Sequence, residues 1–498
     1  MVTSSRYPTP RRGAIVKNGH SGRFTASAQR LKASVGILIV LTVSRAAPAQ
    51  SRAEQREAPV ALTHVTVIDA TGRPADPDMT VIIKGDRIAT VGRSGAVKIP
   101  RDARVVDASG KWLIPGLWDM HVHVDGNERA LTLFVANGVT AVRDMGGSAE
   151  DFERLKKWRT ETEARTRLGP HVFSAGVILD GSPPIRPWYL AAADVSQGRK
   201  AVVSLKQRGA DFVKVYEMLD RDTYYAIADE ARRRRLPFVG HVPGSVTAAE
   251  ASDAGQKSVE HLVRVLLGSS SAESELRPKL NGPPFTLVVY ARELLESYDP
   301  ARAQTLFARF VRNKTWHCPT LTSKRPYAEE DASYLLNDPR ARFLTLDEKE
   351  GLKRFVAIFK RDFAAAPPTI EDTENGKAIF EKHVELVRTM QRAGVRLLAG
   401  TDGSFPGFDL HDELGLLVRA GLTPMEALQA ATRNAAEFFG LSAKRGTIGR
   451  GKTADLVLLD GNPLEDIANT RKIAAVILGG RLLESGRLQE MLAGAVVK

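Results

Sequence analysis

The chain has 498 residues, of which 43% are hydrophobic and 26% are charged, and its formal net charge at pH 7 is +13. This balance is ordinary for a folded globular protein and excludes a disordered chain or one with many membrane spans. A chain of this length can hold one large domain and a smaller one. Its single cysteine, Cys318, cannot form a disulfide within the chain.

Residues 1–49 differ in composition from the rest of the chain. They contain eight Lys or Arg residues and no Asp or Glu, an apolar stretch from Ala33 to Val43, and an A-x-A pattern formed by Ala47 and Ala49. This combination is typical of a secretory signal peptide. The apolar stretch is short for a transmembrane helix, although a retained anchor is the alternative. We therefore expect cleavage near Ala49, export to the periplasm or the extracellular space, and no stable membrane span after processing.

Removal of this leader changes the charge of the chain. It leaves 63 basic and 58 acidic residues, a net charge of +5. The basic run at 232–235 precedes Pro237 and is expected to end a helix, where cations interact favourably with the helix dipole. The processed chain is therefore not expected to bind nucleic acid.

Strand-like segments stand at both ends of the chain. Between residues 60 and 114, Gly85-Asp86 separates two alternating segments and predicts a two-residue hairpin turn. Segments of the same character return around residues 456–459 and 473–486. Two β-rich ends therefore flank a middle of a different kind.

The middle of the chain alternates apolar strand candidates with helical stretches. Eight such strands interleaved with helices predict an α/β fold, a (β/α)8 TIM barrel. The predicted strands are Trp118–His123, Thr140–Asp144, His171–Ala175, Phe212–Tyr216, Phe238–His241, Ser258–His261, Thr315–Pro319 and Arg396–Thr401.

Helix signals follow the eighth strand and interrupt the barrel pattern before it. Thr423, Pro424 and Glu426 form the start of a helix with a capping box, and Gly440 is expected to end it. Long charged segments at 265–312 and 322–385 predict helical insertions that could cover one mouth of the barrel.

Polar side chains occur where several of the apolar strands end. In "GLWDMHVHV", residues 116–124, His121 and His123 are two positions apart and face the same side of a strand, so both could bind one metal ion. Each polar residue has a structural alternative, such as a hydrogen-bonded core histidine or a capping aspartate. However, the ends of parallel barrel strands meet at one mouth, which favours a shared site. The residues are His121, His123, Lys214, His241, His261 and Asp402.

These motifs together carry a family resemblance. The segments are IPGLWDMHVH, DFVKVY, GHVPG, VEHL, LLAGTDG, LHDELGLLVRAGLTPMEALQAAT and GTIGRGKTADLVLLDGNPL. The chain resembles the amidohydrolase superfamily and, within it, the imidazolonepropionase-like and Xaa-Pro dipeptidase (prolidase-like) group. The resemblance implies a barrel over residues 116–440 and a small β-sandwich domain built from residues 58–115 and 441–498.

The resemblance also implies a binuclear metal centre. His121, His123 and Asp402 would hold one divalent ion, His241 and His261 the other, and Lys214 would bridge them as a carboxylated lysine. A metal-bridging hydroxide would be the nucleophile, and Asp402 would accept its proton and deliver it to the leaving nitrogen. Imidazole and carboxylate ligands without thiolate favour Zn²⁺, with Mn²⁺, Co²⁺ and Fe²⁺ as alternatives.

The expected reaction is hydrolysis of an amide bond in a small substrate. Xaa-Pro dipeptides, N-acyl amino acids and cyclic amides are the candidates, a lactonase or phosphotriesterase on the same centre is an alternative, and a non-catalytic envelope-binding protein is a weaker one. Tyr216 shares the inward face of Lys214 and could bind a substrate carboxylate or carbonyl, or only pack in the barrel. His317 and His411 are further candidates at the mouth. Assembly into a homo-oligomer is left open.

Overall fold

The computed structural model describes residues 58–280, 290–329, 332–362 and 370–497. The predicted signal peptide, residues 1–49, lies outside these described residues. Among the helices that are described, none has the length and apolar character needed to cross a membrane.

The first strands form one part of a β-sheet. They are β1 (Val60–Val67), β2 (Asp76–Lys84), β3 (Arg87–Arg93), β4 (Arg104–Asp107) and β5 (Trp112–Pro115). β2 and β3 pair antiparallel across Gly85-Asp86, which confirms the predicted hairpin, and Gly85 has the positive φ of 58° that such a turn requires. On its other edge, β1 pairs first with β4 and then with β5.

The middle of the chain contains the eight predicted barrel strands, each within a few residues of its predicted ends. Two further short strands, β9 and β10, follow the third. The strands are β6 (Leu117–Val122), β7 (Val139–Asp144), β8 (His171–Ser174), β9 (Leu179–Asp180), β10 (Leu190–Ala191), β11 (Val213–Val215), β12 (Phe238–Gly240), β13 (Ser258–Glu260), β14 (Trp316–Cys318) and β15 (Arg396–Leu397).

Parallel pairing connects these strands into a barrel. β6, β7 and β8 form one parallel sheet, and β11 to β15 pair in sequence order in a second. Backbone hydrogen bonds join the two sheets, among them those from Asp211 N to Ser174 O (2.9 Å) on one side and from Met120 N to Ala399 O (2.9 Å) on the other. The TIM-barrel-like α/β fold expected from the sequence is therefore present.

Buried apolar side chains fill the interior of the barrel. Trp118 on β6, Phe212 just before β11, Trp316 on β14 and Leu398 just after β15 belong to one core cluster, which includes Cys318. A larger cluster lies between the strands and the surrounding helices. Burial on both faces explains why the strands are continuous apolar runs in the sequence.

Helices surround the barrel and form the two insertions. The barrel helices include α1 (Glu128–Ala136), α2 (Ala149–Glu163), α3 (Val195–Gln207), α4 (Arg221–Arg233) and α5 (Ala248–Asp253). The insertions contain α6 (Val265–Gly268), α7 (Glu273–Lys279), α8 (Ala291–Glu296), α9 (Pro300–Asn313), α10 (Leu321–Lys324), α11 (Leu346–Asp362) and α12 (Ile370–Arg392), with 3₁₀ turns at Arg325–Tyr327, Ala332–Leu335 and Pro339–Phe343.

The region after β15 corrects one prediction. The first helix is α13 (Phe408–Arg419), and the predicted helix that starts at Thr423 is divided into α14 (Pro424–Ala430) and α15 (Arg433–Phe438). Its capping box of Thr423 and Glu426 is confirmed. The helix is interrupted where the carbonyl oxygens of Ala430 and Ala431 accept hydrogen bonds from barrel residues Ala399 and Trp118.

The C-terminal strands complete the sheet that begins at β1. They are β16 (Leu456–Leu459), β17 (Ile473–Leu478) and β18 (Arg481–Glu484), and the α-helix α16 (Ser485–Ala495) follows them. β16 pairs antiparallel with β5, so strands from both chain ends form one eight-stranded sheet. Its arrangement as a two-layer sandwich stays a prediction.

Gly400 allows the barrel to close next to the candidate ligands. A Cβ atom on Gly400 would lie 2.5 Å from Cys318 Sγ and 2.6 Å from the backbone nitrogen of His121. We expect Gly400→Ala to lower the free energy of unfolding by about 1–3 kcal/mol, the usual cost of overpacking. Gly415→Ala, in open space on α13, is the matched control and should raise it by roughly 0.4–1 kcal/mol. Equal urea midpoints for both variants would contradict this account.

Candidate active site

Three predicted ligands meet at the C-terminal mouth of the barrel. Potential ligand atoms of His121, His123 and Asp402 all lie within 4.8 Å of one another. The Asp402 carboxylate is 3.9 Å from Nε2 of His121 and 3.6 Å from Nε2 of His123. Nε2 of His261 is 3.7 Å from the other oxygen of the same carboxylate. Asp402 is therefore the centre around which three imidazole rings converge.

Backbone and side-chain hydrogen bonds fix Asp402 against the first barrel strand. The backbone N–H of Asp402 donates to the carbonyl oxygen of His121 at 2.8 Å. The buried carboxyl group of Asp119 accepts hydrogen bonds from the backbone N–H (3.0 Å) and the hydroxyl group (2.8 Å) of Thr401. Asp402 itself has a φ of 47°, in the left-handed region that an aspartate rarely adopts.

The Nδ1 atom of each of the four predicted histidine ligands has an oxygen partner. The partners are Glu260 Oε2 for His121 (3.0 Å), Gly146 O for His123 (2.7 Å), Glu217 Oε1 for His241 (2.7 Å) and Thr320 Oγ1 for His261 (2.7 Å). The buried Nε2 of His121 has no hydrogen-bond partner among the described residues. An imidazole whose Nδ1 is bonded and whose Nε2 is free is the usual arrangement in a metal ligand. The donor set thus fits divalent metal ions.

Burial keeps three of these rings, those of His121, His241 and His261, uncharged. It lowers the pKa of His241 to about 4 and the pKa values of His121 and His261 well below their usual range, and the charge of Lys214 lowers them further. Neutral imidazole is the form that binds a metal ion. The site is therefore prepared for cations at neutral pH.

Lys214 lies on β11 beside the histidines. Its side chain is 1% exposed, and burial lowers its pKa to about 8, whereas the charges of Glu260 and Asp402 oppose this shift. Gly240 on the neighbouring strand allows the close approach, because a Cβ atom there would lie 3.0 Å from Lys214 Cδ. The rings of His241 and His261 are also neighbours, with centroids 4.9 Å apart. All six predicted ligand positions therefore surround one region of the mouth.

Tyr216 lies at the edge of this group and faces a cavity. Its ring packs on His241 with a centroid distance of 4.1 Å and on Tyr189 at 5.2 Å. Burial raises the pKa of Tyr216 well above its usual range, so its hydroxyl group stays protonated. Both roles considered for Tyr216, packing and hydrogen bonding to a substrate, are compatible with this position.

The cavity above the site has a volume of about 730 Å³. His123, His241, His261 and Asp402 line its floor. Residues of both predicted insertions line its walls, among them Leu266, Leu267, Lys324, Tyr334, Leu344 and His383. Burial lowers the pKa of Lys324 to about 8, with the charges of Asp402 and Glu413 acting in the opposite direction. The cavity thus combines apolar walls with charged groups close to the floor.

The structure corrects two further histidine assignments. His411 is buried on α13 outside this cavity, where its Nε2 donates to the carbonyl oxygen of Asn137 (3.1 Å) and its Nδ1 contacts the hydroxyl group of Thr470 (2.9 Å). His317 on β14 packs against Phe310 of α9 with a centroid distance of 4.4 Å, so its side chain points to the helices rather than the mouth. Neither histidine belongs to the site.

Sequence reasoning missed the residues that support the ligands. Glu217 directly follows the predicted strand that ends at Tyr216, and Glu260 directly precedes His261 inside another predicted strand. Arg143 lies on β7, and its guanidinium group is fully buried. A charged residue inside an apolar strand was the available signal, because such a residue is seldom buried without a partner.

Comparisons with known proteins agree with this geometry. Residues 112–483 match the amidohydrolase family. Ochratoxinase from Aspergillus niger is 24% identical over 75% of this chain and 75% of its own length. Imidazolonepropionase from Pseudomonas savastanoi pv. phaseolicola is 22% identical over 78% of this chain and 89% of its own length. The structure of a putative prolidase from Bifidobacterium longum has a TM-score of 0.63 and 23% identity, with coverage of 88% of this chain and 99% of that chain.

The family match extends over more than half of the chain, and the superfamily and group indicated by the motifs are confirmed. Members of this family are generally metal-dependent, and the described part of this chain contains candidate metal-binding residues. The chain belongs to the amidohydrolase family and is a hydrolytic enzyme of the class that acts on amide bonds.

Proposed function

We propose that this enzyme is a metal-dependent hydrolase that cleaves the amide bond of a small substrate, such as an Xaa-Pro dipeptide, an N-acyl amino acid or a cyclic amide. One observation carries the proposal: Nε2 atoms of three histidines lie 3.6–3.9 Å from the Asp402 carboxylate. The similarity to an ochratoxinase, an imidazolonepropionase and a putative prolidase gives further support to the substrate class.

Two divalent ions, with Zn²⁺ favoured, would occupy this site. His121, His123 and Asp402 would hold one ion, and His241 and His261 the other. Bound ions of this kind polarise a carbonyl group and provide a nucleophile from water at neutral pH. The remaining chemistry belongs to side chains of the chain itself.

Lys214 would join the two positions as a carbamate. Its burial favours the uncharged amine, whose lone pair can bond to the carbon of CO₂. One proton is released to solvent, and the product has an anionic oxygen where a protonated lysine would repel a cation. This modification would turn a buried lysine into an oxygen ligand.

Asp402 would transfer the proton during hydrolysis. As an oxygen of water bonds to the carbonyl carbon, the carboxylate accepts the released proton and then gives it to the nitrogen that leaves. Tyr216, whose hydroxyl group stays protonated, would donate a hydrogen bond to the substrate carbonyl or carboxylate from the cavity wall. Both side chains would thus act on the substrate directly.

The first test concerns metal content. We expect the unmodified chain to bind about two divalent ions, by the logic of two-metal sites. His241→Asn should bind about one ion fewer, whereas the matched variant His411→Asn should keep both ions and only lose thermal stability. Plasma mass spectrometry on the purified proteins measures the metal content of both variants. Equal metal content in the two variants would show that His241 is not a ligand.

The second test is an activity screen of the metal-loaded and chelator-treated enzyme. The substrates are Xaa-Pro dipeptides, N-acyl amino acids, cyclic amides, lactones and a phosphotriester. We expect cleavage of a carbon–nitrogen bond that is lost on chelation and restored by Zn²⁺. Cleavage restricted to lactones or to the phosphotriester would instead support the alternative hydrolase, and inactivity on every class would contradict the proposed substrates.

The third test separates chemistry from binding at Asp402. Asp402→Asn keeps the size of the side chain and one oxygen but removes its basicity. Turnover should fall by about a hundred- to ten-thousand-fold, the usual contribution of a placed proton-transfer group. KM should change far less.

Asp460→Asn, which alters a carboxylate paired with Lys111 in the eight-stranded sheet, is the matched control and should keep normal turnover. Bound metal is measured on the same preparations. Near-normal turnover of metal-loaded Asp402→Asn would exclude the proton-transfer role.

A further inference from the structure

The four histidines at the site are not supported alike. Nδ1 of His121 and Nδ1 of His241 each contact a carboxylate, Glu260 and Glu217 respectively. Nδ1 of His123 and Nδ1 of His261 contact uncharged oxygens instead. Each proposed metal position therefore has one histidine supported by a carboxylate and one supported by a neutral group.

Each of the two carboxylates is paired with an arginine. Oε2 of Glu260 is 2.7 Å from a guanidinium nitrogen of Arg143, and both side chains are 0% exposed. Oε2 of Glu217 is 3.2 Å from a guanidinium nitrogen of Arg264, which lies in the cavity wall. A carboxylate in such a position is destabilising without a partner, so the arginines explain how these charges can be buried.

We call Arg143–Glu260 the inner pair and Arg264–Glu217, at the cavity wall, the outer pair. Hydrogen bonds at several atoms hold the inner pair in place. Arg143 donates from Nε to the carbonyl oxygen of Met120 (2.5 Å) and from Nη1 to the hydroxyl group of Ser258 (2.8 Å). The same hydroxyl group donates to Oε1 of Glu260 (2.5 Å). Glu260 has therefore no freedom to turn away from His121.

These contacts determine which nitrogen of each ring is available. An ionised carboxylate can only accept hydrogen bonds, so Nδ1 of His121 and Nδ1 of His241 must donate. Their Nε2 atoms then have a free lone pair, and the carboxylate increases the basicity of the ring as a ligand. The hydroxyl group of Thr320 can donate or accept, and it does not impose this choice on His261.

Glu260 also lies near Cys318, and the two residues form a potential ligand group with His121. A separate metal ion there is disfavoured, because the Arg143 guanidinium already occupies Oε2 of Glu260. The carboxylate is thus a support for the histidine rather than a ligand.

We infer that Arg143–Glu260 and Arg264–Glu217 are two positioning pairs, each of which sets the affinity of one metal position. The inner pair acts through His121 on the ion shared with His123 and Asp402. The outer pair acts through His241 on the ion shared with His261. This inference rests on the proposed metal-dependent function.

The test measures stepwise Zn²⁺ binding to the metal-free full chain in competition with a coloured chelator. His123→Ala and His261→Ala identify the two steps, because each removes a ligand of one ion only. Glu260→Gln should weaken the His121 step by about 10–100-fold and Glu217→Gln the His241 step by a similar factor, the usual effect of removing such a partner. Each Gln variant should leave the other step within a few-fold of its normal value.

Asp211→Asn is the matched control. Asp211 is also a carboxylate paired with an arginine, Arg159 (2.8 Å), but it does not contact a histidine of the site. Both binding steps should be unchanged in this variant. If Glu260→Gln does not fold because Arg143 is left unpaired, the double variant Arg143→Met/Glu260→Gln removes both charges and should still weaken the His121 step.

The outcomes are distinguishable. Two normal steps in both Gln variants would overturn the inference alone, as would equal weakening of both steps by either variant, which indicates a general structural effect. Absence of Zn²⁺ binding to the unmodified chain would overturn the proposed function and the positioning pairs together.

Discussion

The four imidazole rings at the mouth of the barrel, three of which lie around the Asp402 carboxylate, impose the constraint on which the rest of the site depends. Out of water, each ring needs an oxygen partner for the nitrogen that carries its proton, and the partners come from several strands and loops of the barrel. Only a correct register of the strands brings the partners and rings together, because a shift of one residue would turn a side chain to the opposite face. The fold and the site are therefore specified by the same contacts.

Several residues of the site have a strained backbone. His261 has a φ of 59°, Asp402 of 47° and Thr320, the partner of His261, of 49°. Non-glycine residues in this region cost on the order of 1–3 kcal/mol each and persist only where the surroundings hold them. The hydrogen bonds from Thr401 to Asp119 and from Asp402 N to His121 O are such surroundings. The turns at His261, directly after β13, and at Asp402, a few residues after β15, aim each ligand into the mouth instead of along its strand.

Sequence reasoning could locate the barrel because strands buried on both faces are apolar runs, and a polar residue at the end of such a run is conspicuous. It could not find Arg143–Glu260, since the partners are 117 residues apart and only barrel closure unites them. His411 was assigned to the mouth wrongly, because its position on a helix after a strand does not reveal whether its side chain faces the cavity or the neighbouring elements. The interruption between Ala430 and Arg433 was missed for a related reason: the carbonyl groups of Ala430 and Ala431 accept hydrogen bonds from the barrel residues Ala399 and Trp118, which are distant in sequence.

The walls of the cavity explain why motifs identify a reaction class more readily than a substrate. Ligand residues lie at the ends of strands, where the barrel dictates their geometry. Leu266 and Leu267 come from the first insertion, and Lys324 and His383 from the second, so part of the surface that meets a substrate is built from helical segments outside the barrel pattern. These segments can change in shape and charge without disturbing the strand ends. A shared metal-ligand arrangement is therefore compatible with different substrates, and the selectivity of this enzyme depends on the insertion residues that line the cavity together with Trp188, Tyr189 and Tyr216.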